Sequence, residues 1–145
     1  MKVSIEEVSR DRDEEVIIRC YEVNDEVIKL LTKIKSDSAM LLGYDQDDIH
    51  RIKMEDVYYF ESVDNKVFIY CKNKVFESKL KLYELEEMCK GKKFFRASKS
   101  SIINLTKMSS VKPSLSGRFE AKLDNGERLV VSRQYVPVLK KMLGL

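Results

Sequence analysis

The side chains best able to act on another molecule lie toward the carboxyl end. From Lys90 to Leu145 there are 13 lysines and arginines against three carboxylates, Glu120, Asp124 and Glu127, a net charge of +10. Such a segment attracts polyanions over a Debye length of about 8 Å at physiological ionic strength. Other chemistries find less material. His50 is the only histidine and is expected at the surface. Cys20, Cys71 and Cys89 are odd in number and widely spaced, which fits neither a disulfide framework nor a zinc pattern. Asp45-Gln46-Asp47-Asp48 places three carboxylates on one turn, read as solvated rather than metal-holding. No G-x-S-x-G, H-E-x-x-H, phosphate-cradling glycine loop or Cys–His pairing occurs. The sequence predicts no catalytic residue, no cofactor and no metal.

The elements that must position the basic residues are bounded by size and charge. A chain of 145 residues, 43% hydrophobic, can bury one core with a structured extension. No apolar run approaches the roughly 18 residues needed to cross a bilayer, and Met1-Lys2-Val3-Ser4-Ile5-Glu6-Glu7 lacks the order of a signal peptide. A cytoplasmic location is expected. Residues 1–48 hold 7 basic and 13 acidic side chains, whereas residues 49–145 hold 20 and 11, so the chain divides electrostatically into −6 and +9.

Periodicity predicts a pair of β-like stretches near the N-terminus, Lys2 to Val8 and Glu15 to Tyr21, and then one helix. Asn24 or Asp25 can cap that helix, Val27, Leu30, Leu31 and Ile34 form one apolar stripe, and Ser36-Asp37-Ser38 is expected to end it. From Ile49 the pattern turns to β. Val57 to Phe60, Lys66 to Tyr70 and Val75 to Glu77 predict a three-stranded meander. A helix follows, with Leu82, Leu85 and Met88 or Cys89 on one face and Gly91 as a left-handed stop. Strands resume at Phe94 to Ala97, Ser101 to Leu105, Met108 to Lys112, Arg118 to Leu123 and Arg128 to Ser132, with Asp124-Asn125-Gly126 the strongest hairpin signal. Gln134 to Leu143 predicts a last helix with Pro137 in its first turn.

Several of these stretches carry more than periodicity. Glu55-Asp56-Val57-Tyr58-Tyr59-Phe60-Glu61-Ser62, Lys81-Leu82-Tyr83-Glu84-Leu85-Glu86, Phe95 through Leu105, and Asn125-Gly126 followed by Val131-Ser132-Arg133 stand in an order and spacing that resembles the LytTR family. The resemblance runs from near Met40 to the C-terminus. It implies an elongated, mostly antiparallel β fold with a small helix, whose loops enter successive major grooves of DNA. The expected architecture is α+β and mostly β, with a ββα extension over 1–38 serving dimerisation or regulation and a LytTR-like domain over 39–145. Fewer than 50 residues precede that domain, too few for a receiver domain, so a stand-alone form is expected.

By that resemblance the DNA-reading positions fall on three loops, at Asn65 and Lys66, at Ser98, Lys99 and Ser100, and at Arg133 and Gln134. The chemistry suits: Arg133 can donate two bonds to guanine O6 and N7, Lys99 can reach the same acceptors or a phosphate, and Asn65 can pair with adenine. Ser98 and Ser100 are suited to fixing register on phosphates. Asn104 is expected to satisfy buried backbone, Arg96 to pair with Glu61 or a phosphate, and the aromatic residues to fill the core. The expected function is a sequence-specific double-stranded DNA-binding transcriptional regulator that acts as a homodimer, or as two copies on promoter repeats. The alternative is a protein-interaction or signal-sensing module working with a membrane-bound partner, motivated by the acidic first 48 residues.

Overall fold

The computed structural model describes residues 1–38 and 40–145, with side chains described outside 35–39. The chain divides into two compact units, residues 1–35 and 36–145. The boundary expected between 38 and 39 touches a residue outside those described.

In the first unit residues 1–24 form no strand, which corrects the expected ββα arrangement to an irregular segment followed by a helix. Val3, Ile5, Val16 and Ile17 are between 61% and 94% exposed. Their β-branched side chains have no surface to pack on, and β-propensity without packing does not hold a strand. Two short strands pairing alone are marginal in water. Helix α1, Asp25–Ser38, does form. Asn24 caps it, its Oδ1 accepting the Val27 N–H at 3.0 Å, and Asp25 and Glu26 sit at the positive end of the helix dipole. The helix continues through Ser36-Asp37-Ser38, beyond its expected end.

The second unit opens with an antiparallel hairpin, β1 (Leu41–Asp45) and β2 (Asp48–Ile52), whose turn is the acidic cluster. The meander follows as β3 (Val57–Val63), β4 (Lys66–Cys71) and β5 (Val75–Ser78). Next come helix α2 (Leu82–Met88), β6 (Phe94–Ser98) and β7 (Ser101–Asn104). These strands form one antiparallel sheet in the order β2-β1-β5-β4-β3-β7-β6. A second sheet, β10-β9-β8, is built from β8 (Met108–Pro113), β9 (Phe119–Leu123) and β10 (Arg128–Val131), and helix α3 (Val136–Leu143) ends the chain.

Both faces of the large sheet are covered, which explains why its central strands read as continuous apolar runs. On one face Leu82, Leu85 and Cys89 pack with Phe60, Ile69 and Ile102. On the other, Tyr59, Phe95 and Ile103 pack with Leu123, Val131 and Leu139 of the second sheet and α3. Strands β3 and β7 are therefore buried on both sides from Val57 to Phe60 and from Ser101 to Asn104. At the expected hairpin the Asn125 Oδ1 accepts the Glu127 N–H at 3.1 Å and Gly126 takes φ +89°. His50 departs from expectation. Its ring lies 5.0 Å from that of Phe76 and its Nε2 is enclosed, because the β1–β2 hairpin turns it inward.

Candidate nucleic-acid interface

Three turns of the second unit carry the residues expected to meet DNA, and backbone hydrogen bonds join them. The β3–β4 turn reverses at Asp64 and Asn65, both with positive φ (51° and 64°), the pair of left-handed residues that a two-residue hairpin demands. Asn65 and Lys66 are exposed there. The Ser62 N–H donates to the Ser100 carbonyl at 2.8 Å, which fixes this turn beside the β6–β7 turn. The Ser132 N–H donates to the Ala97 carbonyl at 2.7 Å, which fixes the segment before α3 beside the same turn. Asn65, Lys99 and Arg133 thus stand on neighbouring turns at one end of the sheet.

The middle turn is held from within. Arg96 donates from Nε to the Ser98 carbonyl at 2.7 Å and from a terminal nitrogen to the Lys99 carbonyl at 2.5 Å, and it pairs with Glu86 of α2 at 2.7 Å. Arg96 is therefore a scaffold residue, and its carboxylate is Glu86 rather than the expected Glu61. The Ser98 hydroxyl is also engaged, 2.7 Å from the Ser101 hydroxyl and accepting the Ser100 N–H at 3.1 Å. Lys99 and Ser100 remain exposed. Asn104, 2% exposed, donates to the Val57 carbonyl at 2.8 Å and accepts from the Thr106 N–H at 3.0 Å, satisfying buried backbone as expected.

Arg133 and Gln134 lie exposed in a 3-10 turn, Arg133–Tyr135, that leads into α3. Beside Arg133 stands a turn that sequence reasoning passes over, the β8–β9 connection of Leu115, Ser116 and Gly117. A Cβ on Gly117 would lie 3.2 Å from both Cγ and Cδ of Arg133. The signal is present in Leu115-Ser116-Gly117-Arg118, a glycine turn followed at once by an arginine. Arg118 is exposed next to it. Among the described residues Lys66, Lys99, Arg118 and Arg133 enter no ion pair, whereas Lys90, Arg96, Lys112 and Arg128 each have a carboxylate. Each of these turns thus carries a cation that no carboxylate of the described residues neutralises.

The electrostatic division is gentler than residues 1–48 suggest. Within 1–35 there are 7 basic and 9 acidic side chains, net −2, because Asp37 lies past residue 35 and Asp45, Asp47 and Asp48 belong to the β1–β2 hairpin of the second unit.

Comparisons with known proteins bear on the family and the fold. A family profile described as the LytTr DNA-binding domain matches residues 47–144. Over its whole length the chain is 27% identical to proteins of Staphylococcus aureus strains MSSA476 and MW2 named uncharacterized HTH-type transcriptional regulators, covering 99% of each. A solved LytTr DNA-binding domain from Bacillus cereus, belonging to a protein described as a putative methyl-accepting/DNA response regulator, superposes with a TM-score of 0.70 at 26% identity. The match covers 74% of this chain and 99% of that one. The profile spans more than half of the sequence and the superposed fold is the same, so this chain belongs to the LytTr DNA-binding domain family.

Proposed function

We propose that this protein is a sequence-specific, double-stranded DNA-binding transcriptional regulator that reads major grooves through the β3–β4, β6–β7 and β10–α3 turns. The observation that carries the reading is the pair of backbone hydrogen bonds, Ser62 to Ser100 and Ser132 to Ala97, that set three turns with unpaired cations side by side. Arg133 reads guanine, Asn65 reads adenine, and Lys99 takes a guanine or a phosphate. Lys66, Ser100 and Gln134 fix register on the backbone, and Ser98 shapes its turn. The names of the Staphylococcus aureus relatives support a regulatory role, in keeping with a binding rather than an enzymatic family. Two copies would occupy repeated half-sites.

Binding to a selected duplex is tested by fluorescence anisotropy across salt concentrations. With about five phosphates neutralised, log K falls against log salt with a slope of roughly −4 to −5. A slope near zero sinks the reading. Arg133→Ala should cost about 1 to 3 kcal/mol on the preferred site and relax its base preference. Equal losses on every sequence would make Arg133 a phosphate contact instead.

A further inference from the structure

A cleft of about 470 Å³ opens where the end of β2, the start of β3, the β4–β5 turn and the β7–β8 connection meet. Its floor is apolar and aromatic, formed by Ile52, Tyr58, Cys71 and Phe76 with the His50 ring against Phe76. Five cations stand around it, Arg51, Lys53, Lys72, Lys74 and Lys107, against one carboxylate, Asp56. Lys74 is paired with Asp45 at 3.1 Å, and the other four enter no ion pair among the described residues. Like charges gathered on one rim repel, and an anion between them removes that repulsion.

A second observation points to the same place. The His50 Nε2 is the one enclosed side-chain nitrogen or oxygen among the described residues without a hydrogen-bond partner. Buried polar groups are normally satisfied, so this nitrogen on the wall of a cationic cleft is a polar group that a molecule lodged there could engage.

The cleft sits at the end of β3 and β4 away from the turn that carries Asn65. Seven residues of β3, Val57–Val63, separate the two ends by about 20 Å at the usual rise per residue. Its concave apolar floor with a few polar groups is the form of a small-molecule site, and its volume falls in that range. We propose that this cleft binds a small phosphate-bearing ligand, with the phosphates held by Arg51, Lys53 and Lys72 and the body of the ligand lying against the stems of Lys74 and Lys107, whose ammonium groups cover the Phe76 and Tyr58 rings at 5.1 and 5.2 Å. This inference goes beyond the DNA reading and does not depend on it.

Heteronuclear NMR of the full chain tests it, with AMP and inorganic pyrophosphate as probes. Either probe should shift the amides of 50–53, 71–74 and 107 saturably, and Lys53→Ala/Lys72→Ala should weaken that binding about tenfold or more. AMP should also raise the melting temperature of the wild type and leave that of the double variant unmoved. Both lysines are exposed, so the variant keeps its fold. Shifts that grow without saturating and spread over lysines everywhere overturn the proposal. So does a DNA salt slope that shrinks by about two in the variant, because the cleft would then be a backbone contact. A cleft silent to both probes in a protein that still binds duplex sinks this inference and leaves the DNA reading standing.

Discussion

The dependence of Arg133 on its neighbour gives the strictest test of the interface. Gly117 has φ +75°, and a methyl group there would meet the Arg133 stem at 3.2 Å, closer than ordinary van der Waals contact. Gly117→Ala therefore carries two consequences of different kinds. A Cβ in the left-handed region costs about 1 to 2 kcal/mol of stability, which lowers the melting temperature by roughly 3 to 8 °C for a chain of this size. The stem of Arg133 must also give by a few tenths of an ångström. That movement is cheap in stability, but it re-aims the guanidinium and forfeits up to about 1 to 3 kcal/mol of base recognition. Gly126→Ala separates the two effects. Gly126 has φ +89° with no atom within 4 Å of the added methyl, so it carries the strain without the contact. Thermal melts and anisotropy on the preferred duplex should show both variants destabilised alike and only Gly117→Ala impaired in binding. The double variant Gly117→Ala/Arg133→Ala should bind no worse than Arg133→Ala, since both substitutions remove one interaction. Additive losses, or wild-type binding by Gly117→Ala, would refute the coupling.

Other substitutions probe the scaffold. Asn104→Ala leaves the Val57 carbonyl and the Thr106 N–H without their partner and should cost roughly 2 kcal/mol or more in denaturant unfolding, with less than half of that contradicting its role. Burial, and then the nearby Glu127, hold the Glu61 carboxyl above its ordinary 4.5. A carboxyl raised on folding favours the native state fully below its unfolded pKa and loses that contribution as pH rises through the folded one. Glu61→Gln should accordingly melt above the wild type at pH 7, with the gap closing toward pH 4.5; a gap independent of pH rules this out. Burial pushes the Cys89 thiol up to about 12 and also raises Cys71, whereas Cys20 is exposed. Titration with a disulfide reagent at neutral pH should show one fast thiol at Cys20, and a fast second thiol at Cys89 would contradict its burial.

Local signals explain what is legible in the residues. The meander, the α2 face of Leu82, Leu85 and Cys89 and the Asn125-Gly126 hairpin all follow from patterns within a few residues. The departures share a non-local cause. Leu41–Asp45 shows no alternation, and it becomes a strand because Gly43 admits Phe76, whose Cβ would stand 2.7 Å from an added methyl, and because Tyr44 registers with Glu77. Conversely, Val16-Ile17-Ile18 has the right residues for a strand and no partner. Arg96 selects Glu86 because α2 folds back over β6 and β7, a contact that neighbouring residues do not announce. The three turns of the proposed interface are legible through family resemblance. The fourth, at Gly117, is legible only as a glycine turn before an arginine, and its bearing on Arg133, 16 positions away, is not.

The relatives carry a helix-turn-helix name, yet in this chain α2 and α3 are already committed to the core. Helix α2 uses Leu82 and Leu85 to cover one face of the large sheet, and α3 uses Val136 and Leu139 on the other. No short turn joins two described helices, since α1 ends at Ser38, α2 starts at Leu82 and α3 starts at Val136. A recognition helix offers base-reading side chains from its first turn. The first turn of α3 offers a buried valine and a proline, and the polar residues Arg133 and Gln134 lie just before it. Under the proposed function reading falls to turns, which are ordinarily mobile and would lose about 0.5 to 1.5 kcal/mol for each long side chain ordered on binding. The Arg96 fork and the Ser62 and Ser132 backbone bonds order the turn backbones before DNA arrives. They make a set of loops behave, toward a groove, as the rigid element that a helix would otherwise supply.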